Sequence, residues 1–279
     1  MEGRRSVRTS DGAYLAVVEF GGAEPCSAGD VPDGPPILLL HGLMGRATTW
    51  WSLARALTRH GRVLGLDARG HGRSQATGPW TTDRMVRDAA EVLEPLGPAV
   101  VIGHSMGGLH AVVLAARRPD LVRAVVVEDM GVDLTGTAGD PVAAATAWFE
   151  AMPQPFASRA AVRVAFGYPR AEFGDYMAEC VEERADGLHL LTRVRDAAAI
   201  AAEWVREDRW ADVDAVGCPT LLVEAEESVV PAGQMAEMAR RIPLAQHVRL
   251  PGTGHLVHAD EDAFLAVVEP FLESVRERR

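Results

Sequence analysis

Lysine is absent from the chain, because all 28 basic residues among its 279 are arginine. A Schiff-base mechanism and a Walker-type phosphate loop both need a lysine amine, so the sequence excludes both. Cysteine is scarce as well. Cys26, Cys180 and Cys218 are odd in number and widely spaced, without metal-ligand spacing. They predict free thiols in a reducing compartment, and neither a metal nor a cofactor is expected.

Basic residues are fewer than acidic ones, and long apolar runs are also scarce. The formal net charge is −11, which argues against a nucleic-acid partner because phosphate binding needs a basic surface. The N-terminal stretch MEGRRSVRTSDG lacks the apolar run of a secretory signal, and runs such as AVVLAA are too short to span a bilayer. We therefore expect a cytoplasmic protein, of GC-rich bacterial composition, that acts on a small molecule; its oligomeric state is left open.

The order of strands and helices predicts a single α/β core. RSVRT and AYLAVVEF flank an Asp11-Gly12 turn and form a hairpin, and the uninterrupted apolar run ILLLHG is typical of a strand buried on both faces. Strands RVLGLD, AVVIGHS, RAVVVED, PTLLVEA and QHVRLPG then alternate with helices over 46–59, 82–95, 106–117, 232–241 and 259–276. This alternation predicts a doubly wound, mostly parallel sheet.

One segment breaks the alternation. Residues 131–210 contain no clear buried strand, and scattered aromatics, methionines and prolines indicate short helices. We interpret 131–210 as a helical cap inserted into a core made of residues 1–130 and 211–279. Its aromatic and methionine content suggests a mainly apolar pocket, although most of these side chains are expected simply to pack the cap on the core.

The clearest motif is Gly103-His104-Ser105-Met106-Gly107-Gly108, between the strand AVVI and the helix MGGLHAVVLAA. The pattern G-x-S-x-G in a strand-to-helix turn is typical of a nucleophile elbow, whose tight turn needs small residues on both sides of the serine. We expect Ser105 to present its hydroxyl at the carboxyl end of the sheet, at the positive end of the next helix.

Two further turns supply the other parts of an acyl-transfer site. After His41-Gly42, the amide of Leu43 can act with that of Met106 as the pair of donors that an oxyanion requires. Late in the chain, Gly252-Thr253-Gly254-His255 places a histidine in a glycine-flanked loop, and histidine suits proton transfer near neutral pH. His71, His104, His110 and His258 are interpreted as core or supporting residues.

The motifs HGLMG, LDARGHGRS, GHSMGG and GTGH, in this order and spacing, resemble those of the α/β-hydrolase superfamily over nearly the whole chain. The resemblance implies that Ser105 is the nucleophile, that His255 is the base, and that Leu43 and Met106 are the oxyanion donors. It implies no particular substrate, and a serine nucleophile disfavours the branches that use a carboxylate in its place.

The acid of the triad departs from the usual pattern of that family. Where the family most often carries an aspartate, after strand PTLLVEA, this chain reads Ala225-Glu226-Glu227-Ser228. Some branches place the acid at the end of the preceding strand, which here is AVVVEDMG, and the spacing from Ser105 favours Asp129 there. Neighbouring residues of a strand face opposite sides, so Glu128 and Asp129 cannot both face His255. Glu128, Glu226, Glu227 and the absence of any acid remain alternatives to Asp129.

The sequence thus predicts a serine hydrolase that cleaves an apolar or moderately polar ester or lactone through an acyl-enzyme. A cofactor-free lyase or oxygenase on the same scaffold is one alternative, which the displaced acid keeps open. A non-catalytic ligand receptor is another, although the intact Ser105, His255 and glycine elbow argue against it.

Overall fold

The computed structural model describes residues 3–21, 34–136 and 140–277. The strands are β1 (Gly3–Arg8), β2 (Tyr14–Phe20), β3 (Ile37–Leu40), β4 (Val63–Leu66), β5 (Ala99–His104), β6 (Val122–Glu128), β7 (Val181–Arg184), β8 (Gly187–Leu190), β9 (Thr220–Glu227) and β10 (Ala245–Gly254). The helices are α1 (Trp51–Leu57), α2 (Thr82–Leu93), α3 (Met106–Arg117), α4 (Pro141–Glu150), α5 (Arg159–Phe166), α6 (Ala171–Glu179), α7 (Val194–Trp204), α8 (Trp210–Ala215), α9 (Gln234–Arg241) and α10 (Glu261–Glu277). Two 3₁₀ turns, Ala47–Trp50 and Val257–Ala259, precede α1 and α10.

Eight strands form one sheet in the order β1-β2-β4-β3-β5-β6-β9-β10. β1 pairs antiparallel with β2, and β2 pairs antiparallel with β4, whereas all the later pairs are parallel. The predicted hairpin is confirmed, and Gly12 takes the positive φ of 87° that its turn requires. The predicted doubly wound, mostly parallel sheet is confirmed too. The carboxyl ends of β3, β5, β6, β9 and β10 therefore meet at one edge.

Both faces of this sheet are covered. In β3, Leu38 and Leu40 join the apolar cluster that includes side chains of α2, α3, α8 and α9. Ile37 and Leu39 point the other way, into the cluster with α1 and α10. Alternate residues of one strand thus fill two separate cores, which explains why the strand reads as an unbroken apolar run.

The segment between β6 and β9 adds α4 to α7 and a two-stranded hairpin, β7-β8, that the sequence reading did not predict. The hairpin turns at Ala185-Asp186, after which Gly187 begins β8 with a φ of 137°, and Phe156 adds a bridge to Leu188. Its strands are four residues long, and only Val181 and Leu190 in them are buried, so they lack the apolar run of a buried strand. The limits 131 and 210 of the cap remain a prediction.

Side chains of this inserted segment form an apolar cluster of their own. Phe156, Phe166 and Met177 are buried in it, together with Met44 and Leu256 from the two loops at the edge of the sheet. These buried side chains pack the inserted segment onto the core, as expected, whereas Tyr168 is exposed.

Within the described ranges no helix is long and apolar enough to cross a membrane. Cys180 and Cys218 are free thiols, and Cys26 lies outside the described residues.

Candidate active site

Ser105 lies in the turn between β5 and α3, where it has a φ of 51° and a ψ of −120°. A positive φ is a strained conformation for a residue with a side chain, and such strain is characteristic of functional turns. The turn is tight because a Cβ added to Gly103 would strike the backbone of Gly107. Ser105 is only partly buried, and it precedes the first residue of α3. The local geometry is that of the elbow expected from the motif.

His255 follows the end of β10 at the same edge of the sheet. Its Nδ1 lies 2.7 Å from Oδ2 of Asp129, and the Asp129 side chain is fully buried while that of His255 is 27 % exposed. A carboxylate can only accept, so Nδ1 of His255 is the donor and its Nε2 is left free to accept a proton. The structure thus brings together the histidine and the first of the acids proposed from the sequence.

Asp129 is held by a dense set of donors. Its own φ is 44°, and its amide donates to the carbonyl of Val223 at 2.8 Å. The amides of Ala225 and Val229 donate to its two carboxylate oxygens at 3.0 and 3.4 Å. Burial alone would raise the pKa of Asp129, but hydrogen bonds from His255 and Ser228 outweigh it and lower the pKa below its usual value. The side chain is therefore an oriented carboxylate at neutral pH.

The other candidate acids bind elsewhere. Glu128 points to the opposite side of β6 and contacts His258, with Nδ1 of His258 lying 2.8 Å from Oε1. Glu226 accepts from the amide of Gly252 at 2.6 Å. Glu227 forms a salt bridge with Arg170 at 2.8 Å. Ser228 lies where the family more often has its aspartate, and it helps to lower the pKa of Asp129.

The loop after β3 runs beside the elbow. A Cβ added to Gly42 would lie 3.3 Å from Cβ of Ser105 and 2.5 Å from Nδ1 of His104, so only glycine allows this approach. The amide of Gly45 donates to the carbonyl of Gly42 at 3.0 Å and closes the turn. Among the residues that the structure describes, neither the amide of Leu43 nor that of Met106 donates to a protein acceptor.

Buried histidines surround these loops. His104, next to the serine, has its Nε2 3.0 Å from the carbonyl of His255, and sequence reasoning did not foresee this contact. Burial, followed by the neighbouring His255 and His258, lowers the pKa of His104 well below its ordinary value. Burial also lowers the pKa of His71 and His110 to about 3. All three are neutral supporting residues, as expected from the sequence.

Apolar side chains flank the loop and the elbow. Met106 packs with Met85 and Ile200, and Leu43 and Trp204 border the same cluster. A separate cleft of about 590 Å³ opens between α6 and the two 3₁₀ turns, and Tyr176, Leu256 and His258 line part of it. No group of three or more metal-ligating side chains occurs in the described part of the chain.

The chain belongs to the alpha/beta hydrolase fold family, whose model matches residues 35–262. The resemblance inferred from the motifs is thereby confirmed.

Two named relatives narrow the class. The sn-1-specific diacylglycerol lipase ABHD11 of Mus musculus is 32% identical over 255 residues, which cover 85% of this chain and 81% of the lipase. A 2-(acetamidomethylene)succinate hydrolase of Mesorhizobium japonicum is 30% identical over 237 residues, covering 81% of this chain and 83% of the relative. The crystal structure of E-2-(acetamidomethylene)succinate hydrolase superimposes with a TM-score of 0.83 at 26% identity, covering 98% of this chain and all of the other. With this family and these relatives, the chain is a hydrolase.

Proposed function

We propose that the protein is a serine hydrolase that cleaves a carboxylic ester or lactone of a small, mainly apolar substrate through an acyl-enzyme. The observation that supports this most strongly is the 2.7 Å contact between Nδ1 of His255 and the buried Asp129. A histidine oriented in this way, at the same edge of the sheet as a serine in a strained turn, is the arrangement that activates a hydroxyl.

In the proposed reaction, His255 takes the proton of the Ser105 hydroxyl while Oγ of Ser105 attacks the carbonyl carbon of the ester. The alcohol leaves with that proton, and an acyl group stays on Ser105. Water then attacks the acyl carbon with His255 as base, and the acid product and free Ser105 result. Asp129 keeps the proton of His255 on Nδ1 and stabilises the imidazolium that forms in each step.

The amides of Leu43 and Met106 are proposed to bind the oxyanion. Met106 is the first residue of α3, so its amide has no partner within the helix and lies at the positive helix end. Gly42 lets the Leu43 loop approach Ser105 closely. Two preorganised donors of this kind stabilise charge that develops only in the transition state.

An apolar substrate is favoured by the side chains beside these donors. Leu43, Met106, Ile200 and Trp204 belong to or border one apolar cluster, and two of them come from α7 of the inserted segment. We infer that residues 131–210 act as the cap that selects the substrate. The named activity of the mouse relative, a diacylglycerol lipase, agrees with an ester that has an apolar part.

Amide hydrolysis is a second candidate. The relative with the similar crystal structure is named for a substrate with an acetamido group, and its match covers nearly the whole of both chains. The same serine, histidine and oxyanion donors serve acyl transfer from nitrogen as well as from oxygen.

A substrate panel tests these proposals. Turnover of p-nitrophenyl esters with acyl chains of increasing length would be compared with that of matched p-nitroanilides, using the wild-type protein and Ser105→Ala as the control. Ester hydrolysis that Ser105→Ala abolishes would support the first proposal, and faster anilide hydrolysis would favour the second. Labelling of Ser105 by a fluorophosphonate without any turnover would point to a lyase, an oxygenase or a receptor. The absence of both labelling and turnover would refute the hydrolytic mechanism.

A further inference from the structure

Two consecutive acidic residues at the end of β6 each hold a histidine of one short loop. Asp129 contacts His255, and Glu128, on the opposite side of the strand, contacts His258. The two histidines are three residues apart in the chain that links β10 to α10. The proposed reaction uses only the first pair and leaves the second unexplained.

Glu128 binds His258 through both the backbone and the side chain. Its Oε1 accepts from the amide of His258 at 2.9 Å, and the ring Nδ1 lies 2.8 and 2.9 Å from the two carboxylate oxygens. The Glu128 side chain is fully buried, and that of His258 is 7% exposed. The ring of His258 also stacks on Trp50, with 4.3 Å between the ring centroids. A buried carboxylate is costly to leave unpaired, so the contact between Glu128 and His258 is expected to persist.

The same residue is joined to the nucleophile. The carbonyl of Glu128 accepts from the amide of Ser105 at 2.9 Å. His104, the neighbour of Ser105, bonds through Nε2 to the carbonyl of His255 at 3.0 Å. The ring centroid of His104 lies 4.7 Å from that of His255 and 5.3 Å from that of His258. Glu128 thus connects the backbone of Ser105 with the loop that carries His255.

We propose that Glu128 and His258 form a positioning pair, which anchors the loop of His255 to the end of β6 and so keeps the His255 ring aligned with Ser105. This inference rests on the proposed function for its catalytic consequence. Neither residue touches the reacting atoms, because Glu128 lies on the side of the strand away from Asp129. Misplacing a reacting group by about 1 Å can cost on the order of 100-fold in rate, so loosening this anchor is expected to lower kcat.

The test compares two substitutions of His258. His258→Asn retains an N–H donor near the position of Nδ1, whereas His258→Leu retains the bulk against Trp50 but removes the donor. We expect His258→Leu to lower kcat by about 10- to 100-fold with KM nearly unchanged, and His258→Asn to stay within about threefold of the wild-type protein. His247→Leu is the matched control, since it breaks a histidine–carboxylate pair between His247 on β10 and Glu224 on β9, neither of which contacts His255.

A spectroscopic measurement separates positioning from simple loss of stability. The downfield proton resonance of Nδ1–H of His255, assigned by its disappearance in Asp129→Asn, should shift or broaden in His258→Leu. It should remain unchanged in His258→Asn and His247→Leu. If His258→Leu does not fold, Glu128→Gln replaces it and is expected to lower kcat at least tenfold.

A kcat like that of the wild-type protein together with an unchanged His255 resonance in folded His258→Leu would overturn the proposal. Equal losses of kcat in His258→Asn and His258→Leu would also overturn it. The failure of the proposed function is recognised separately, by absent labelling of Ser105 in the wild-type protein. In that case the His255 resonance still decides whether the pair positions the loop.

Discussion

Replacing Asp129 with asparagine changes one oxygen into an amide nitrogen at the centre of the site. The amide of Ala225 donates to Oδ1 of Asp129, so the asparagine is expected to keep its oxygen there. Its NH2 group then faces Nδ1 of His255, where two donors would meet at 2.7 Å. His255 can relieve this conflict only by moving its proton to Nε2, and it then cannot accept the proton of Ser105.

The wrong tautomer of an oriented histidine costs about 10⁴-fold in kcat in serine hydrolases, which corresponds to about 5 kcal/mol of transition-state stabilisation. We expect a loss of this size for Asp129→Asn on the best ester of the panel. The side chain keeps its shape and its contact with Ala225, so the fold should persist. Initial rates at saturating substrate measure kcat, and thermal unfolding followed by circular dichroism checks the fold.

Glu226→Gln and Glu227→Gln are the matched controls, since each removes a carboxylate that contacts Gly252 or Arg170 instead of His255. Both should stay within about twofold of the wild-type rate, because neither carboxylate contacts His255 and the exposed Glu227–Arg170 ion pair contributes little. A rate for folded Asp129→Asn within tenfold of wild type would refute the reasoning, and so would a comparable loss in Glu227→Gln.

Three further predictions follow from packing and burial. Gly42→Ala adds a methyl group that would lie 3.3 Å from Cβ of Ser105, so it should displace the Leu43 loop. We expect kcat in the ester assay to fall about 100-fold or more, and full activity would contradict this prediction. Histidines in the unfolded chain bind protons near pH 6.5, whereas the buried histidines of the folded protein do not. The free energy of unfolding, measured with urea, should therefore fall as the pH drops from about 6.5 to about 4, by about 3 kcal/mol from His41 alone. Equal free energies at pH 7.5 and pH 5 would argue against this prediction. Burial lowers the three pKa values responsible, to about 4, 3 and 3 for His41, His71 and His110. Burial raises the pKa of the Cys180 thiol, so mass spectrometry should find it modified by a thiol reagent only after unfolding, and modification in the native protein would contradict its burial.

The sheet could be predicted because its strands carry a strong local signal. β3 is apolar at every position since both faces are covered, and β4 and β5 are likewise buried along their whole length. The hairpin β7-β8 has no such signal, because only Val181 and Leu190 of its strands are buried, and they pack within the inserted segment. The Asp-Gly sequence at 186–187, beside the Ala185-Asp186 turn, was the one local feature that could have indicated it.

The candidate site divides in the same way. Ser105 and His255 stand in glycine-rich turns whose spacing can be read directly. The choice between Glu128 and Asp129 needed the direction of two neighbouring side chains, which depends on the positive φ of Asp129 as well as on the strand. The contact between Glu128 and His258 joins residues 130 positions apart, so no local pattern could reveal it.

The most direct test of the central claim is the covalent labelling of Ser105. The wild-type protein would be incubated with a fluorophosphonate or with a slowly hydrolysed p-nitrophenyl ester, and the adduct located by peptide mass spectrometry. One adduct is expected, on Ser105; it should be absent in Ser105→Ala and form far more slowly in His255→Ala. Ester hydrolysis with no adduct on Ser105, or with undiminished turnover in folded Ser105→Ala, would contradict it.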